Sequence, residues 1–159
     1  MIINLRWLMQ RRHLFFGMLG LLAISSLYVQ VASVINSGPI AIAGTRTDHK
    51  VVALTFDHSW GNKYTEAILD TLRQHNVKVT FFIMGPWAKK YPEVAKRIAA
   101  DGHEIGSHGY KHENYGNMPP EWVREDIQKA HTLIKEITGV EPKLIRPPNG
   151  HYSKKSLQV

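Results

Sequence analysis

From residue 50 onward the sequence alternates short apolar runs with helical stripes, a rhythm that restricts the chain to strand–helix–strand architectures. Residues 51–56 and 77–84 are rich in β-branched and aromatic side chains and read as buried strands. Residues 103–107 and 143–145 are shorter candidates for a third and a fourth strand. Between the first two, Tyr64, Ala67, Ile68 and Leu72 recur at helical spacing behind an N-cap candidate at Asn62. A second helix is expected from Pro92 to Gly102, with Val94, Ala95, Ile98 and Ala99 on one side. A third begins after Pro119-Pro120, carries Val123, Ile127, Ala130, Ile134 and Ile137 on one stripe, and stops at Gly139. Such alternation predicts the α/β class with a parallel sheet, open or closed into a barrel.

The chemistry-bearing residues follow the predicted strands. Asp57 and His58 come after the first, Gly85-Pro86-Trp87 after the second, Ser107 and His108 after the third, and Arg146-Pro147-Pro148 after the fourth. In parallel α/β folds the carboxyl ends of the strands share one face, where active sites are built. A carboxylate and an imidazole at Asp57-His58, with His108 and His112 four residues apart, are the groups needed for metal-assisted hydrolysis. A lone histidine pair among nine histidines would signify little; its Gly- and Ser-bearing loop after a strand sets this one apart. His13, His49, His75, His103, His131 and His151 have no comparable partners. Asp57 closes an apolar strand, where a carboxylate is costly unless it caps a turn or does chemistry. Arg146 is either a surface charge or, beside two rigid prolines, an arginine set to orient a carboxylate. Trp60 and Trp87 fit a core or a rim, and an exposed one would offer a sugar ring a stacking surface.

The N-terminal third is of another kind. Residues 14–45 contain no Asp, Glu, Lys or Arg, and their apolar run is long enough to span a bilayer, which takes ~20 residues. Arg6, Arg11 and Arg12 precede it, an arrangement that places the N-terminus in the cytoplasm and the chain beyond residue 45 outside. The expected division is a basic flank at 1–13, a transmembrane anchor or signal segment at 14–35, a linker at 36–49 and a domain at 50–159. Ala41-Ile42-Ala43 also has the small-x-small form of a signal-peptidase site, so a secreted form is the rival of the membrane-held one. Cysteine is absent, so no disulfide supports an exported fold. The net charge of +7 leaves +4 once the three flanking arginines are set aside, an excess suited to an anionic wall or membrane surface. No basic run interleaved with aromatics and no zinc-finger spacing is present, so nucleic acid is not an expected partner.

TFDHSWG, TFF with the following GPW, DGHEIGSHGYKH and RPPNG occur in the order and approximate spacing of the polysaccharide deacetylases, carbohydrate esterase family 4. The chain resembles that family from about residue 50 to 152, and the SWG of the first motif looks most like its sporulation-associated branch. The resemblance implies a distorted parallel (β/α) barrel. It also implies metal-dependent hydrolysis of N-acetyl groups, carbon–nitrogen bonds other than peptide bonds, on peptidoglycan or chitin-like wall polysaccharide. By position, Asp57 matches the general base, His108 and His112 the metal-binding histidines, and Arg146 the arginine that holds the base. Pro148, Asn149 and Gly150 match the substrate and oxyanion region.

The sequence departs from the family pattern twice. The family has a second aspartate, a metal ligand, where this chain has His58; a neutral imidazole can also bind Zn²⁺, so His58 is carried as a third possible ligand for a divalent ion, zinc or cobalt. The chain also stops at Val159, before the family's later motifs and its general acid, so about the first half of the barrel is expected and a catalytically incomplete chain with it. The alternative function is a non-catalytic glycan-binding or spore-envelope protein that keeps the fold.

Overall fold

The computed structural model describes residues 23–26, 40–44 and 46–159. The anchor or signal segment expected at 14–35 lies almost wholly outside them. Among the described residues no helix is long and apolar enough to cross a membrane.

Residues 40–159 form one compact unit. Its elements are β1 (Thr55–His58), α1 (Thr65–Gln74), β2 (Thr80–Ile83), α2 (Gly85–Lys90), α3 (Pro92–Ala100), β3 (Glu104–Ser107) and α4 (Pro120–Thr138). The three strands lie in the order β1-β2-β3, all parallel, with Thr55 beside Thr80 beside Glu104 and Asp57 beside Phe82 beside Gly106. Residues 143–145 do not add a fourth strand. They contribute one parallel bridge, Ile145 to Ser107, and the described sheet is open rather than closed into a barrel.

Local chemistry accounts for most element ends. Pro120 opens α4 at a position whose N–H has no helical partner, and Gly139 closes it in the left-handed conformation at φ 74°. In α1, Tyr64 rather than Asn62 is the N-cap, and Leu69 and Leu72 are its buried apolar side chains while Ala67 is exposed. The short helix α2 has no counterpart among the expected elements: Gly85-Pro86-Trp87 turns helical directly after β2, behind Pro86.

Strand parity creates two unlike faces. Phe56, Phe81, Ile83 and Ile105 point to the helix side, where Leu69, Trp87, Ala95, Ile98 and Ile134 complete the core. Burying each large apolar side chain contributes roughly 1.5–3 kcal/mol, so this layer supplies most of the drive to fold. Thr55, Asp57, Phe82 and Gly106 alternate with them and belong to the opposite face. Arg97 ties the helical layer from outside, bridging to Glu66 and Asp70 of α1 and to Asp101.

Candidate active site

Asp57 and His58 are neighbours on β1, so their side chains leave opposite faces of the sheet. Asp57 is exposed. Arg146 reaches it across 89 residues: Nη1 donates to Asp57 Oδ1 at 2.7 Å and to Thr55 Oγ1 at 3.0 Å. The guanidinium lies 4.2 Å from the centre of the Phe82 ring, which sits beside Asp57 in the register. Phe82 in turn fits because residue 106 is glycine; a Cβ there would come within 2.5 Å of its ring.

The backbone of Arg146 is anchored as firmly as its side chain. Its N–H donates to Ser107 O at 2.9 Å, and its carbonyl accepts from His108 Nδ1 at 2.9 Å. A carbonyl can only accept, so Nδ1 carries the proton and Nε2 keeps its lone pair for a ligand. His108 is buried, and desolvation lowers its pKa, against the raising pulls of the Asp57 charge and the Arg146 carbonyl. It is therefore a neutral imidazole at neutral pH. The His112 ring stands 5.3 Å from that of His108, nearly edge-on at 69°.

His58 is not part of this group. Its ring enters the core, 4.8 Å from the ring of Trp87 and 5.5 Å from that of Phe81, and its Nε2 shares a 2.9 Å hydrogen bond with Thr65 Oγ1. Its buried Nδ1 has no partner, and desolvation lowers the pKa despite the neighbouring Asp57. Among the described residues no three His, Cys, Asp or Glu side chains gather into a group that could hold a metal ion. His58, expected only as a possible third ligand beside His108 and His112, lies instead against Trp87, Phe81 and Thr65. His108 and His112 present two imidazoles side by side, but no third protein donor joins them among the described residues, so the residues present do not fit a complete three-ligand centre.

Pro148, Asn149 and Gly150 form a 3₁₀ turn at the end of the Arg146-Pro147 segment, with Asn149 at φ 57° and Gly150 at φ 67°. The Gly150 N–H is used on Pro147 O, and Pro148 has none, leaving Asn149 as the turn's candidate oxyanion donor. The Asn149 side chain bridges to Asn114 at 2.9 Å. Trp60, 71% exposed, places its ring 5.4 Å from that of His112, whereas Trp87 is buried and donates to Gly61 O at 2.8 Å. A cleft of about 450 Å³ runs between Trp60, Pro86, Lys90 and Tyr110.

Sequence reasoning missed Thr55, Phe82, Gly106 and Asp126. The last had a readable signal, because a carboxylate three residues after Val123 and four before Ala130 lies on the apolar stripe of its helix.

A parallel α/β layer thus carries, at one strand-end face, a carboxylate pinned by an arginine and an oriented histidine pair. The family model for polysaccharide deacetylases matches residues 44–159, and the chain belongs to that family. A peptidoglycan-N-acetylglucosamine deacetylase of Bacillus cereus is 44% identical over 107 residues, covering 67% of this chain and 39% of the relative. A solved pseudoenzyme of carbohydrate esterase family 4 from Bacillus anthracis is 33% identical with a TM-score of 0.67, covering 70% of this chain and 40% of that one. A family 4 acetyl xylan esterase from Clostridium thermocellum, solved with a cobalt ion, is 35% identical with a TM-score of 0.63, covering 67% of this chain and 53% of that one. The chain thus spans about two fifths of the curated relative's length.

Proposed function

We propose that this chain carries the base-bearing part of a deacetylase domain that removes N-acetyl groups from cell-wall peptidoglycan. The observation that supports this reading most is the Arg146 hub, which holds Asp57 through its side chain and His108 through its carbonyl. Asp57, aimed by Arg146, is suited to take a proton from a water attacking the acetyl carbonyl. Asn149, in the turn beside Arg146, is the candidate donor to the oxyanion. His108 and His112 are the residues that would contact a divalent ion, zinc or cobalt; with His58 turned into the core, such an ion would lack one protein ligand.

His58 also favours a second reading, a glycan-binding protein that keeps the fold without turnover. The likeness to a pseudoenzyme of the same family agrees with it. In either case we place the domain outside the cell, held by the apolar segment at 14–35 or released after it.

Acetate release from N-acetylated peptidoglycan fragments separates the two readings. It is measured for this chain and for a version joined to the C-terminal half of a full-length relative. Release by the joined protein that disappears in Asp57→Asn supports the deacetylase. Retained binding to the fragments without release, in a folded joined protein, supports the second reading.

A further inference from the structure

The segment between the two histidines is held by a residue far along the chain. Asp126, on α4, is 5% exposed, and its helix face is otherwise apolar, with Val123, Ala130 and Ile134. Its Oδ2 accepts the Tyr110 N–H and the Tyr115 hydroxyl, each at 2.7 Å, and its Oδ1 accepts the Lys111 N–H at 3.0 Å. A buried carboxylate is costly unless donors meet it, and all three donors here come from residues that bracket His112. Burial and Asp126 itself push the Tyr115 pKa upward, so the hydroxyl stays protonated and keeps donating.

The rest of the segment is equally constrained. The Gly109 N–H donates to Ser107 Oγ at 3.2 Å and its carbonyl accepts from Gly85 N at 3.1 Å. Gly109 lies at φ +76°, where a Cβ would stand 2.3 Å from Tyr115 Oη and 3.0 Å from Asp126 Oδ2. His112 itself has φ 49°, a left-handed conformation that a histidine adopts only when its surroundings impose it. The two amides fixed by Asp126 are those immediately before it.

We propose that Asp126 is the positioning residue of the histidine pair: by clamping the Tyr110 and Lys111 amides it imposes the left-handed turn that sets the His112 ring against His108. The inference rests on the functional reading only in taking those imidazoles as working groups. An apolar side chain at residue 126 would pack the helix as well but would take the acceptor from the Tyr110 and Lys111 N–H groups and leave His112 free to relax.

The test uses the full chain with Asp126→Ala, Asp126→Asn and Tyr115→Phe, and His131→Ala on the same helix as a control. The contact between the His108 and His112 ring protons, read by NMR, should be lost in Asp126→Ala and weakened in Asp126→Asn. Amide hydrogen exchange at Tyr110 and Lys111 should quicken about tenfold or more relative to Phe81. Zn²⁺ affinity, read by competition with a chromophoric chelator, should fall about tenfold. His131→Ala should move none of these. Asp126→Asn keeps the side-chain volume and one acceptor oxygen, so it decides the matter where the alanine variant does not fold. A folded variant that retains both the ring contact and the parent's Zn²⁺ affinity overturns the proposal. A parent that binds no Zn²⁺ counts against the metal-binding reading alone, because the ring contact still reads the clamp.

Discussion

Arg146 joins Asp57 to His108: its side chain donates to the Asp57 carboxylate at 2.7 Å, and its carbonyl receives the His108 Nδ1–H at 2.9 Å. The pair Arg146–Asp57 should therefore be energetically coupled, though modestly, since the side chains are 36% and 40% exposed. Arg146→Met and Asp57→Asn should each lower stability by about 0.5–1 kcal/mol, and the double variant should cost less than their sum. Denaturant midpoints of the four proteins check it; strict additivity would mean that the ion pair contributes nothing.

Metal affinity should distinguish His58 from His108. His58→Leu removes an imidazole that packs against Trp87 and Phe81, and it should leave Zn²⁺ affinity within about twofold of the parent. His108→Ala removes an imidazole whose Nε2 is free to bind and should weaken affinity about tenfold or more. Equal losses in the two variants would return His58 to the ligand set.

Stability should fall as the solution is acidified. Burial lowers the pKa of His58, His103 and His131 below the ordinary value of 6.5, outweighing Asp57, Asp101 and Glu141 respectively. The unfolded chain takes up protons near pH 6.5 that the folded chain refuses, so stability present above that pH is lost as it drops toward the folded-state values. The urea midpoint should decrease between about pH 7.5 and about pH 5, less steeply in His58→Leu. A midpoint that rises on acidification would contradict the burial of these rings.

Gly106 should not tolerate a side chain. A Cβ there meets the Phe82 ring at 2.5 and 2.6 Å and Leu144 O at 3.3 Å, so Phe82 must move, and it carries the Arg146 guanidinium. Gly106→Ala should cost about 1–3 kcal/mol, and adding Phe82→Leu should recover part of it. No recovery in the double variant would shift the blame to the backbone.

The membrane arrangement is open to a direct assay. With residues 14–35 spanning and the arginines inside, protease added to intact spheroplasts should digest the part after residue 45. Complete protection would reverse the proposed orientation.

The α/β class, the apolar stripes of α3 and α4 and the meeting of Asp57, His108 and Arg146 at one end of a parallel sheet were legible in the sequence, whereas the buried side of α1 falls on Leu69 and Leu72 rather than on the expected Tyr64 and Ala67. They depend on local periodicity and on a rule of parallel folds, that strand ends share a face. Helix α4 runs from Pro120 to Thr138, as its prolines and Gly139 predict. His58 is different. Its adjacency to Asp57 suggests a shared site, yet a strand sends neighbours to opposite faces, and only the packing of Trp87, Phe81 and Thr65 shows which face is the core. The proton on His108 Nδ1 depends on a carbonyl 38 residues away, and the turn at His112 on a carboxylate in α4. Such contacts are set by how the helices and strand ends dock in three dimensions, and the spacing of residues along the chain carries no record of them.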